Sequence, residues 1–192
     1  MDLLAIGNIT LDSVADVDRL PKPGRTALIS RSRICYGGRG ANVAVIVAKL
    51  GLTVDLASFV GDDFPEGYVR NLESNNINMS RVRKIKEAQS ARIFAFKDCS
   101  QGMIYFLDPI AIPAKEKLPV SVNDLKNYRG VFIAPLDSDR HIGEFHDELL
   151  KLRNVFLSLG EEVYRKDCGL LRRFIRFPQY LFMNQQEFSE FT

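Results

Sequence analysis

The sequence has no tryptophan, only two histidines and only three cysteines. Cys35, Cys99 and Cys168 lie far apart, and no C-x-x-C pair occurs. That excludes a zinc knuckle and a disulfide framework, and it fits three reduced thiols in a cytoplasmic protein. His141 and His146 have no third ligand or nucleophile near them in the chain. They read as surface histidines, and no Ser-His-Asp or Cys-His arrangement is legible. No run of about 18 apolar residues occurs, so no membrane-spanning helix is expected. The N-terminal residues lack a basic segment and carry only a short apolar run, which reads as a first strand and not as a signal peptide. Charge of one sign is also scarce: the formal net charge is +2. So small a balance argues against nucleic acid as the main partner.

What is present is ordinary for a folded domain. Of 192 residues, 46% are hydrophobic and 26% charged, and 13 Phe with 6 Tyr supply much of a core. Short apolar runs at 3–6, 54–60, 130–134, 155–159 and 180–183 read as buried strands. Helical patterns fall between them at 41–50, 67–75, 141–153 and 167–174, and a last one begins at 184. The helix at 41–50 is apolar nearly all round, which predicts burial on most faces. Strands alternating with helices predict a mostly parallel α/β sheet. Two passages, about 13–36 and 90–108, break that rhythm with hairpin-like alternation and predict a small second β layer.

Four segments carry candidate chemistry. Gly37-Gly38-Arg39-Gly40-Ala41-Asn42 leads straight into a helix. It lacks the third glycine of a dinucleotide fingerprint, and counted from Gly37 the sixth position, a glycine in a P-loop, is Asn42. It is either a tight turn or a ligand site in which backbone N–H groups and the helix dipole meet the ligand and Asn42 bonds a polyol. Gly7-Asn8-Ile9-Thr10-Leu11-Asp12 follows the first strand, where ligands bind in open α/β sheets. Asp12 there either accepts sugar hydroxyls or is simply solvated. Asp62 and Asp63 precede a helix and read as its N-cap in preference to a metal site. Asn184 and Glu187 share a face at a helix start, where they either serve a Mg²⁺ and phosphate region or cap the helix.

Taken in order, Gly7-Asn8-Ile9-Thr10-Leu11-Asp12, Leu20-Pro21-Lys22-Pro23-Gly24, the glycine segment through Ala44, Val60-Gly61-Asp62-Asp63-Phe64 and Asn184-Gln185-Gln186-Glu187 resemble the ribokinase, or PfkB, family of carbohydrate kinases. The resemblance spans the chain. It implies a ribokinase-like, mostly parallel sheet with helices on both faces and a small β lid made by 13–36 and 90–108. It implies ATP-dependent phosphoryl transfer, with Mg²⁺, to a hydroxyl of a sugar or nucleoside. Substrate would meet Thr10, Asp12, Gly37, Gly38, Gly40, Asn42 and Asp137, with Asn184 and Glu187 in the phosphate and Mg²⁺ region. It also implies that the lid can pair two copies into a homodimer.

One family element is missing: no D-T-x-G-A-G-D, the source of the base and the anion hole, occurs in the sequence. The expectation is therefore a substrate-binding N-terminal portion without the nucleotide-binding part, inactive by itself. The alternative is a non-catalytic sugar- or nucleoside-binding or lid-dimerising module. Arg92, in the second lid passage, is either a contact for a substrate phosphate or, preferably, an ordinary charged strand residue.

Overall fold

The computed structural model describes residues 1–98, 102–113, 116–134, 146–160, 175–176 and 178–191. Its strands are β1 (Leu3–Ile6), β2 (Thr10–Val17), β3 (Ile29–Gly37), β4 (Val54–Val60), β5 (Ile77–Lys84), β6 (Arg92–Asp98), β7 (Gly102–Asp108), β8 (Gly130–Ile133), β9 (Val155–Ser158) and β10 (Tyr180–Phe182). Its helices are α1 (Arg39–Lys49), α2 (Glu66–Ser74), α3 (Val122–Leu125), α4 (His146–Leu149) and α5 (Gln185–Phe191). Asp137, Cys99, Cys168 and the helix expected at 167–174 lie outside the described residues.

Six strands form one sheet in the order β10-β9-β8-β1-β4-β5, every pairing parallel. The chain runs outward from β1 through β4 to β5, returns, and runs the other way from β8 to β10. Right-handed crossovers therefore put α1 and α2 on one face and the later crossovers on the other. The cores follow. Leu3, Ala5, Val54 and Leu56 pack with Ala41, Ala44, Tyr68 and Leu72. Leu4, Ile6, Ala57 and Phe59 pack with Leu125 and Leu149. Alternate residues of one strand thus serve opposite cores, and all seven positions of β4 are buried. Helix α1 departs from expectation. It lies on the sheet through Gly40, Ala41 and Ala44, while Ile46 is 59% exposed.

The remaining strands form a separate sheet in the order β3-β2-β6-β7. This is the expected lid, but its first strand begins at Thr10, so Thr10 and Asp12 belong to the lid itself.

The sequence reading missed β5, which is an edge strand carrying Arg81 and Arg83. Arg81 bonds Tyr128 at 3.1 Å and Asp124 at 2.8 Å, and Tyr128 donates to the buried Asp55. Asp124 also closes a capping box on Ser121 at the start of α3. Bonds from Ser121, then Arg81, hold the Asp124 carboxyl down to about 2. A depressed carboxyl contributes stability above its unfolded value and loses it as pH falls through the folded one. Between pH 3.8 and about 2, the chain is expected to lose on the order of 1 kcal/mol through this group. Urea melts of Asp124→Asn across that window should show a shallower pH slope; an unchanged slope contradicts the assignment.

Candidate functional site

The order of strands reverses between β1 and β8, and ligands of open α/β sheets bind beyond the carboxyl ends of strands at such a point. There β1 ends in Gly7 and Asn8, and the lid strands β2 and β3 begin and end beside it. The turn from β3 into α1 is Gly37-Gly38. Gly38 has φ +102°, and a Cβ on it would lie 2.3 Å from the Asn8 carbonyl oxygen. Gly40 approaches Gly7 as closely, with a built Cβ 2.6 Å from the Gly7 carbonyl carbon. The glycines are therefore required by contact between two backbones.

Asp12 stands over this turn. The Thr10 hydroxyl donates to its Oδ1 at 2.6 Å, and Thr10 is itself buried. Its Oδ2 lies over Gly37, where a Cβ would come within 2.2 Å. Burial pushes the Asp12 carboxyl above the usual range, against the pull of the Thr10 bond. One oxygen is thus held by the protein, and the other faces a position without a side chain. Thr10, Asp12, Gly37, Gly38 and Gly40 lie together around this turn.

Asn8 was overlooked, although it lies within the first motif. Its side-chain Oδ1 accepts from the Arg39 backbone N–H at 3.2 Å, and its carbonyl accepts from Ala41 N–H at 3.4 Å. Two of the first-turn donors of α1 are therefore already taken by protein. Tyr68 of α2 was overlooked as well. Its hydroxyl donates to the Gly37 carbonyl at 2.6 Å, and its ring stacks on Tyr36 of the lid, centroids 4.2 Å apart. Burial, then the Asp12 charge and Tyr36, push the Tyr68 hydroxyl up, so it remains a donor. The only hint in the sequence was one apolar position on an amphipathic helix.

Asn42 is exposed and turns elsewhere. It lines a cavity of about 700 Å³ beside α1, with Arg39, Val43, Phe132, Phe156 and Phe182. Asp62 and Asp63 do not cap α2, whose N-cap is Pro65 without a side-chain bond. Pro65 itself occupies the N-cap position. The two acids bind the segment entering β6: Asp62 accepts from Glu87 N–H, and Asp63 accepts from Ser90 N–H and Arg92, each at 2.5–2.6 Å. Burial alone would raise the Asp63 carboxyl, but the bonds from Ser90 and Arg92 outweigh it and hold it low. This clasp joins the sheet to the lid.

Asn184 and Glu187 cap α5 reciprocally. Asn184 donates through N and Nδ2 to the Glu187 carboxylate, and Glu187 N–H donates back to Asn184 Oδ1 at 2.8 Å. A Mg²⁺ shell needs about six oxygen ligands. Among the described residues, no group of three or more His, Cys, Asp or Glu comes together. Water and substrate phosphate supply most of such a shell, so a single carboxylate such as that of Glu187 is compatible with it. Among the described residues, no helix is long and apolar enough to cross a membrane.

The whole chain, residues 1–192, matches the family described as pfkB family carbohydrate kinase. A nucleoside kinase of Methanocaldococcus jannaschii is 30% identical over 189 residues, which are 97% of this chain and 61% of that protein. A deoxyribokinase of Salmonella typhi is 34% identical over 129 residues, 66% of this chain and 42% of that one. The crystal structure of the M. jannaschii nucleoside kinase, described as an archaeal member of the ribokinase family, superposes with a TM-score of 0.81 at 27% identity. It covers 99% of this chain and 62% of that one. The chain therefore spans about 61% of the length of the nucleoside kinase it matches.

Proposed function

This chain belongs to the pfkB family of carbohydrate kinases, and on that premise we propose that the cleft between Asp12 and the α1 turn holds a sugar or nucleoside by its hydroxyl groups. The observation that carries the reading is the half-engaged Asp12 carboxylate, Oδ1 held by Thr10 and Oδ2 over Gly37. A carboxylate oxygen without a side chain opposite can accept a ligand hydroxyl in a charge-assisted bond. The glycine turn lets the ligand ring approach the backbone. Tyr68 and Asn8 keep that turn in place from behind. In a complete enzyme of this family, ATP would donate its γ-phosphoryl group to a hydroxyl so held.

Asp12→Asn removes the charge and keeps the shape. Calorimetry with D-ribose, 2-deoxyribose and adenosine should show affinity reduced at least about tenfold, the worth of one charge-assisted bond. Unchanged affinity would remove Asp12 from the site. Binding to the wild type should also weaken as pH falls through the raised Asp12 value, because the neutral acid is a poorer acceptor.

The lid supports a second proposal, pairing of two copies. Cross-strand register places Ser13, Ile34, Phe94 and Phe106 on one face, with Ala15, Phe96 and Ile104 in the next row. This face is opposite to that of Asp12, since alternate residues point apart. Ile34 is 75% exposed and Phe106 58%. An apolar sheet face of that kind marks an interaction surface, and burying it would leave the Asp12 face open. The wild-type chain should sediment as a dimer and Ile34→Asp with Phe106→Asp as a monomer; a wild-type monomer at the same concentration overturns the pairing.

A further inference from the structure

From the sequence, Arg92 reads as an ordinary charged strand residue in preference to a contact for a substrate phosphate. The structure engages it elsewhere: Arg92 pairs with Asp63 and stands in register with Leu11, on the lid face away from Asp12. The face that carries Asp12 holds a different set. Its first row is Cys35, Asp12, Ile93 and Leu107; its second is Arg33, Val14, Ala95 and Tyr105; its third is Arg31, Asp16, Lys97 and Met103.

Arg33, Arg31 and Lys97 are all exposed, and among the described residues none of them forms an ion pair. Asp16 stands between Arg31 and Lys97 and offsets part of their charge. Arg33 has no acid in its row. It lies one pleat repeat, roughly 7 Å along the strand, from the row of Asp12, which is within reach of an arginine side chain. A ligand whose hydroxyls meet Asp12 would therefore present its far end to a guanidinium with its donors unspent. Guanidinium forks match phosphate geometry. A neutral sugar gives such a group little to bind.

We propose that the Asp12 face of the lid reads a phosphate group on the substrate, carried by a pentose phosphate or a nucleoside monophosphate, and that Arg33 is the residue that reads it. The proposal rests on the reading of this cleft as a sugar or nucleoside site.

Calorimetry on the 192-residue chain tests both levels, with folding of each variant checked by its melting curve. The probes are D-ribose, ribose 1-phosphate, ribose 5-phosphate, adenosine, AMP and inorganic phosphate. The expected result is that at least one phosphorylated ligand binds about tenfold or more tightly than its parent. That preference should shrink with added salt and disappear in Arg33→Gln but not in Arg92→Gln. The ribose and adenosine arms distinguish the two sources of phosphate. Equal affinity for phosphorylated and parent ligands overturns the proposal and leaves the sugar site standing. A preference that survives Arg33→Gln overturns the assignment to Arg33. Binding of inorganic phosphate as tight as that of the sugar phosphate reduces the face to a general anion surface and overturns it too. Failure of every ligand to bind removes the sugar-site reading and this proposal with it.

Discussion

Gly38→Ala is expected to destabilise the chain by about 3 kcal/mol or more and to abolish ligand binding. Two costs add. The residue holds φ +102°, a conformation that an L side chain occupies only under strain. The new methyl carbon would also stand 2.3 Å from the Asn8 carbonyl oxygen and 2.7 Å from the Ile9 Cα. Both obstacles are backbone, so no side chain can swing aside. Relief would require β1 and α1 to separate, which would also break the bonds from Asn8 to Arg39 N–H and Ala41 N–H. Gly24→Ala is the matched control. It too has a positive φ, +77°, but nothing lies within 4 Å of its built Cβ, so it should cost only the conformational part, about 1–2 kcal/mol. Urea denaturation of both variants measures the difference; equal losses would show that close packing at Gly38 does not matter.

The second large effect concerns turnover. An ADP-release assay on the 192-residue chain, with ATP, Mg²⁺ and each of ribose, deoxyribose and adenosine, is expected to read background. Phosphoryl transfer depends on positioning and on stabilisation of charge around the moving group. A general base contributes roughly 10²–10⁴-fold, and an anion-hole donor about 10²–10³-fold. No D-T-x-G-A-G-D stands in the 192 residues to supply either. The side chains of Asn184 and Glu187 at the start of α5 bond each other. Robust turnover by this chain would overturn that account and would require a base among the residues present, with Asp12 the first to replace.

The alternation of strands and helices was legible because buried parallel strands read as continuous apolar runs; β4 is buried at every position. β5 was not legible. It sits at the sheet edge, and its arginines are engaged by Asp55, Asp124 and Glu116, contacts that only the fold creates. The glycine turn could be recognised as special, but its cause could not. Whether Gly40 faces solvent or the backbone of Gly7 depends on a segment 33 residues earlier coming so close that a Cβ on Gly40 would stand 2.6 Å from it. The same holds for Asp62 and Asp63. Two acids before a helix predict a cap, yet their partners Glu87, Ser90 and Arg92 come from the far side of α2 and β5.

By itself, then, the sequence determined the local and periodic features: which stretches are apolar at period two or near 3.6, where glycines break them, and which motifs stand in which order. Those are properties of neighbouring residues, and they sufficed for the α/β class, the lid and the family. Tertiary structure decided everything that depends on two distant segments meeting. It put Asp12 on the lid, joined it to Thr10 and Gly37, and brought Tyr68 and Asn8 behind the turn. It also spent Arg92 on Asp63 and left Arg33 on the face of Asp12. Charge and hydrogen-bonding capacity can be read residue by residue, but whether a group is used up or available depends on what folding sets against it.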